Sequence, residues 1–489
     1  MPSLNNKNTS IRDESYRQFF YGWLECGEKS VVLVTTRERL NLPPIKCQWL
    51  SLPGLEPVEG ATLLQTLGIR GTEEELVEFS QKVEGHPLLL TLVAGFLLEE
   101  EELDPQIQYL QRYGLADISY LLTDENLTGL HRGTVDIWMR RVLDESFGRI
   151  SQRMQQLILG VCVYRIPFNS AMALAQMTSP PTLPTIKIIP YFSPLARENK
   201  RGGKGSNIKS NIHTNSPSFL VIKFELEELG FSSVLNSQFH QKEESDLKSI
   251  EQDLRQLVKR SLLKEERDEN GGRWFKFQPL IQEYAKYKAR DLTQAHQRAI
   301  NYYLLNLKKR PWQTLEDVAE YLETFYHNGE IKKYIPALNI LRCCNEFLSL
   351  RGYSQIQVKL YNQLIEAWNR SKSDWVFGEL LRDLGSAYSH LGEYQEAIVC
   401  TQQSLAIFEE IGDCTDIAIS RLNLGNAYYF IGDYKKSIQY SQQSLAFFEN
   451  NSNSFQDHCN LQKYIAICLN NLGNASSCLS SPTAIQNGN

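Results

Sequence analysis

Four consecutive apolar residues, Val31 to Val34, run without alternation and end in Thr35, Thr36 and Arg37. A strand covered on both faces reads this way, as in a parallel sheet, whereas a half-solvated strand alternates. Open parallel sheets carry their working groups at the carboxyl ends of strands, so the three polar residues stand where a ligand contact belongs. A strand running into a polar loop is the plainer reading of the tripeptide alone. From Pro57 the period becomes helical. Pro57 lies near a helix start and Gly68 just past its end. In GTEEELVEFSQKVEGHP, Thr72 and Glu75 have capping-box spacing, acidic residues fill the first turn, and Leu76, Phe79 and Val83 share a face. Gly85 and Pro87 stop that helix. The run PLLLTLVAGFLL, Pro87 to Leu98, predicts a buried helix, and Val135 to Phe147 continues the helical region.

Helical patterns return at Ile150 to Tyr164 and at Asp253 to Leu263. Between them, Ser179 to Ser218 is rich in proline, glycine, serine and lysine and poor in periodic apolar positions, which predicts an inserted flexible loop. SLLKEERDENGGRWFKFQP then places two short strand-like runs around Asn270, Gly271 and Gly272, a hairpin signal. A helix, a hairpin and a helix beginning at Pro279 follow the order of a winged-helix module.

The last third repeats. LGSAYSHLGEYQEAI begins at Leu384 and LGNAYYFIGDYKKSI at Leu424, 40 residues later. Gly352, Gly392 and Gly432 keep that period, which suggests a degenerate earlier copy, and LNNLGNASS from Leu469 begins a further one. Gly385 and Ala387 allow close helix approach, while Tyr388, Tyr394, Leu405 and Phe408 supply buried surface. The pattern resembles the tetratricopeptide family, whose usual unit is 34 residues, in a longer variant. That resemblance implies stacked helix pairs with a surface, between Leu384 and Phe448, that takes a protein or peptide partner. A purely structural solenoid packed on its own neighbour is the alternative.

Composition narrows the classes. With 489 residues the chain has room for roughly three domains. Its 51 basic and 57 acidic residues leave a net charge of -6, which argues against a dedicated binder of nucleic acid or anionic membrane. The ten cysteines form no CxxC pair and the histidines fall at no metal-ligand spacing, so neither a zinc site nor a disulfide framework is expected. The polar start MPSLNNKNTSIRDES has no signal-peptide core, and Pro87 to Leu98 is too short to cross a bilayer. A cytoplasmic protein with reduced thiols is the expectation.

LVTTRERL, then GHPLLLTLVAG, then the hairpin module with FKFQPLIQEYA, then helical repeats, resembles in order and spacing the NB-ARC class of signal-transduction ATPases, the STAND family. The likeness spans Val31 to Ala285, and the repeats extend it over most of the chain. It implies that Arg37, flanked by Thr35 and Thr36, senses a terminal phosphate, and that Gly85 and Pro87 of the GxP motif wall the adenine. Gln278 stands where the family carries a histidine against the diphosphate of ADP. Glutamine donates a neutral hydrogen bond but cannot become cationic.

The departure at the front is larger. Phosphate binding of this class needs a glycine-rich loop with lysine and a hydroxyl residue, and no GxxxxGK[ST] occurs in the sequence. Nor does an apolar strand ending in paired acidic residues precede Val31 to hold magnesium. Tyr16 to Ser30 resembles the helix before the sensor strand, so the chain is expected to begin partway through the module, either as a remnant or because its start was assigned downstream. No metal site and no catalytic residue is expected, and no ATP hydrolysis from the chain alone.

The implied fold class is mainly α: a remnant of an α/β nucleotide-binding sheet (1–55), a helical domain (56–150), a winged helix (151–292) with an insert at about 179–218, and a tetratricopeptide-like solenoid (293–489). The implied function is a signalling or scaffold protein that binds a partner through its repeats, with ADP or ATP and Mg2+ as cofactors only if the missing loop is supplied. A working ADP/ATP switch whose loop comes from an upstream segment or a separate chain is the alternative, and oligomer formation stays open.

Overall fold

The computed structural model describes residues 53–101, 103–113, 115, 134–178, 188–191, 219–222, 233–368, 375–452 and 458–480. The strand expected at Val31, with Thr35, Thr36 and Arg37 at its tip, lies outside them. The described chain is mainly α-helical, as the sequence predicts, and ends in helical repeats. It divides into two compact units at Val142.

The first unit holds α1 (Pro57–Thr66), α2 (Glu73–Lys82) and α3 (Pro87–Glu100), with α4 (Thr134–Arg149) running across its end. The Thr72 capping box forms: Thr72 Oγ1 accepts from the Glu75 amide at 3.2 Å, and Glu75 Oε2 accepts from the Thr72 amide at 2.8 Å. Leu76, Phe79 and Val83 are buried, as their shared face predicts, and Phe79 meets Trp138 edge-on at 5.8 Å. Helix α3 is buried from Leu89 to Leu97 except at Thr91, which explains why an apolar run this long belongs to a core. No described helix is long and apolar enough to cross a membrane.

The second unit opens with α5 (Gln152–Val161) and α6 (Ser170–Met177), then β1 (Ile188–Tyr191) and β2 (Phe219–Ile222). These strands pair antiparallel, with Ile188 opposite Ile222. The expectation of a plain loop over 179–218 is corrected there: Ile188–Tyr191 is a strand. Its partner lies beyond the segment, so a β-branched pair inside a proline- and lysine-rich stretch gave no local hairpin signal. After α7 (Ser233–Lys259), β3 (Lys264–Arg267) and β4 (Arg273–Lys276) form the expected hairpin. Asp268 Oδ1 accepts from the amides of Asn270 and Gly272, and Gly271 takes φ +78°. The hairpin gains a third partner that the pattern does not announce: Phe168 and Phe275 exchange both main-chain hydrogen bonds, at 2.9 and 2.7 Å. Helix α8 (Pro279–Ala289) follows, and Gln282 Nε2 ties it to the carbonyls of Cys162 and Tyr164.

From α9 (Thr293–Leu305) and α10 (Ala319–Glu330) the solenoid builds through α11 (Tyr334–Leu350), α12 (Ser354–Ala367), α13 (Trp375–Leu391), α14 (Tyr394–Ile411), α15 (Cys414–Ile431), α16 (Tyr434–Asn450) and α17 (His458–Ser480). Each helix from α10 onward packs on the next. Its beginning is locked to the hairpin module. Arg165 pairs with the buried Glu323 at 2.9 Å, Gln176 Nε2 donates to the Ala295 carbonyl, and His296 and His327 share a 2.8 Å hydrogen bond between their Nδ1 atoms. Burial holds these two imidazoles neutral, His296 down at about 4 and His327 at about 3.

The period of 40 is structural. Gly352, Gly392 and Gly432 follow α11, α13 and α15 with φ of +78°, +88° and +91°. A Cβ on Gly385 would meet Thr401 Oγ1 at 2.4 Å, and one on Gly425 would meet Ser441 Oγ at 2.4 Å, so each pair closes on glycine at the same place. Leu405 and Phe408 are buried, but Tyr388 and Tyr394 are only half-buried: Tyr394 stacks on the exposed Phe430 at 4.9 Å. A methyl group added at Gly432 would meet open space, so Gly432→Ala is expected to cost only the backbone strain, about 1 kcal/mol, read as a small drop in the unfolding midpoint.

Candidate functional site

Gly85, Pro87 and Gln278 lie within the described residues. The first two belong to one unit and Gln278 to the other. Glu84 and Gly85 both take left-handed backbone, with φ of +53° and +61°, and turn the chain from α2 into α3. Gly85 also sits where two stretches of main chain cross. Its carbonyl accepts from the Leu55 amide at 2.9 Å, and a Cβ on it would stand 2.0 Å from the Leu55 oxygen. A structural need thus accounts for this glycine without a ligand. Pro87 opens α3 and is exposed, beside His86, whose Nδ1 accepts from the Leu89 amide at 3.3 Å. Gln278 is half-buried before α8, and its side chain does not cap that helix.

The repeats hold a more developed arrangement. The first helices of three successive pairs, α11, α13 and α15, are joined by buried ions. Arg342 donates through Nε to Asp383 at 2.7 Å and through Nη1 to Glu379 Oε2 at 3.0 Å. Arg382 donates through Nη2 to Glu379 Oε1 at 3.0 Å and through Nη1 to Asp416. Trp375 Nε1 donates to the other oxygen of Asp416 at 3.0 Å. Glu379 is therefore shared by two guanidinium groups, and it is only 1% exposed.

Burial works against both guanidinium charges, yet the carboxylates facing them hold Arg342 and Arg382 above the ordinary arginine range. Burial, with Asp383 and Asp416 nearby, outweighs the two arginines at Glu379 and pushes its carboxyl up to about 7. Asp413 is raised by burial and by Asp416. Sequence reasoning misses all of these residues. The signal that could have found them is Glu379 and Arg382 inside WVFGELLRDLGSAY, charges on a helix whose neighbouring positions are apolar.

Along the same helices, residues in register with one another stay half-buried and polar: Ser386 on α13 corresponds to Asn426 on α15, and Asp383 to Asn423. Asp383 reaches across to α11, so these register positions belong to the side on which the first helices adjoin. Among the described residues no group of three or more histidine, cysteine or acidic side chains could hold a metal ion, and the described cysteines are free thiols.

Residues 377–450 match the tetratricopeptide repeat family. No curated protein matches the chain. Among solved structures, it is similar to a Signal Transduction ATPase with Numerous Domains (STAND) protein with a tetratricopeptide repeat sensor from Pyrococcus horikoshii, at 12% identity and a TM-score of 0.27. The match covers 88% of this chain and 66% of that one, so the chain spans just under two thirds of that protein's length.

Proposed function

We propose that this chain is a signalling or scaffold protein of the NB-ARC and tetratricopeptide type, whose repeat surface between Leu384 and Phe448 takes a protein or peptide partner. The observation that carries this reading is the repeat array itself. Two helix pairs built in one register bury their apolar side chains on each other and keep Ser386, Asn423 and Asn426 half-buried where the first helices adjoin. Amide and hydroxyl groups there offer donors and acceptors to an extended peptide. The test is capture of a partner by the full chain. Asn423→Arg with Asn426→Arg is expected to weaken capture about tenfold or more, roughly 1.4 kcal/mol. Lys435→Ala, on an exposed position of the second helix of that pair, should leave it unchanged. Equal capture by all three proteins would remove this surface from the reading.

The same reading gives the remaining residues their roles in a nucleotide site. Thr35, Thr36 and Arg37 would face phosphate, the exposed Pro87 ring would cover adenine, and the Gln278 amide would donate to the diphosphate. Pro87 and Gln278 fit those roles by exposure and by the absence of a capping bond at Gln278. Neither brings the positive charge that a diphosphate with Mg2+ requires, which must come from a phosphate-binding loop.

A further inference from the structure

Among the described residues the ion network of the repeats is unbalanced. Arg342 and Arg382 face Glu379, Asp383 and Asp416, three carboxyl groups against two guanidinium groups, and Asp413 stands next to Asp416. The groups facing Glu379 are Arg342 from α11, Arg382 and Asp383 from its own helix and Asp416 from α15. Tyr361 of α12 lies against Arg342 and Asp383, fully buried, with its hydroxyl accepting from Asn345 at 2.6 Å. With every carboxyl ionised, a surplus negative charge sits where water hardly reaches, and such a charge is costly unless it is matched. A proton on Glu379 leaves two matched pairs, Arg342 with Asp383 and Arg382 with Asp416.

We propose that Glu379 is a protonation switch of the repeat array: protonated, it balances the network and holds the helix pairs built on α11, α13 and α15 closed on one another, and ionised, it loosens them. Three features support this. The carboxyl accepts a hydrogen bond from each arginine, so its charge acts on both at once. The network spans one helix from each of three pairs, so it acts on the packing between pairs rather than on a single helix. Burial raises the carboxyl to about 7, so the folded array binds the proton more tightly than the unfolded chain does. Its contribution to stability is therefore complete below the ordinary carboxylate range and is lost as pH rises from about 4.5 to about 7. The inference does not depend on which partner the repeats bind.

The test compares the full chain with Glu379→Gln, which keeps the shape and removes the titration. In urea, the wild-type midpoint is expected to fall relative to the variant's between pH 5 and pH 8. Parallel midpoints across that range, or a wild-type midpoint that rises relative to the variant's, overturn the proposal. Should the variant not fold, hydrogen exchange of the wild-type α13 amides decides the matter. After correction for intrinsic rates, their opening should increase between pH 5 and pH 7 by up to about tenfold per pH unit, the slope that one proton gives. Opening that does not change with pH, or that decreases, overturns it equally.

Discussion

Arg382→Ala is expected to destabilise the repeat array by about 3–5 kcal/mol, the range for removing one partner from a buried ion pair. The guanidinium group bonds Glu379 and Asp416, which are 1% and 7% exposed, and lies 5.6 Å above the ring of the fully buried Phe408. Its loss takes the guanidinium from Asp416, to which Trp375 still donates, and leaves Glu379 to Arg342, in a site that water cannot refill without opening the packing between α13 and α15. Most of the cost is the orphaned charge rather than the missing contact. This gives a sharper expectation for the double variant. Arg382→Ala combined with Glu379→Gln should cost less than the sum of the two, because the contact between Arg382 and Glu379 is lost in either single variant and can be lost only once. A urea titration of the four proteins in the cycle measures the coupling. Strict additivity would mean that Arg382 acts through Asp416 or Phe408 and not through the shared carboxyl.

Residue pattern carries the solenoid well because its information is local and repeated. Gly352, Gly392 and Gly432 mark the same left-handed turn three times, and Gly385 and Gly425 mark the same helix crossing twice. The Thr72 box and the hairpin around Gly271 are legible for the same reason, since each is decided within a few residues. Features that depend on distant partners are not. Phe168 pairs with Phe275 and Ile188 with Ile222 across gaps that leave no periodic trace. Tyr388 and Tyr394 read as core residues by type, but a helix pair in an open solenoid has solvent on one flank, and both rings end half-buried. The ion network is hidden differently: it joins positions on three repeats, and within one helix only Glu379 and Arg382, charged among apolar neighbours, hint at it.

The nucleotide candidates show the limit more closely. Gly85 stands out in the sequence by its place in a motif, yet its backbone angle and its crossing with Leu55 give it a structural reason to be glycine. Pro87, two residues on, has no comparable packing constraint.

These two residues make opposite predictions when changed. Gly85→Ala places a Cβ 2.0 Å from the Leu55 oxygen and holds alanine at φ +61°. Overpacking costs typically 1–3 kcal/mol and the left-handed backbone about 1 more, so a loss of roughly 2–4 kcal/mol in the first unit is expected. It should appear as faster hydrogen exchange across α2 and α3. Pro87→Ala changes an exposed first-turn position and should shift stability by less than about 1 kcal/mol. Titration calorimetry with ADP, and with ATP and Mg2+, then separates structure from ligand. If wild-type protein binds and Pro87→Ala binds markedly more weakly while its exchange pattern is unchanged, Pro87 contacts the base. If Pro87→Ala binds as the wild type does, the GxP motif here is only the turn that joins α2 to α3. Gly85→Ala cannot decide between them, because it is expected to disturb the helices on either side of the turn, whatever the ligand does.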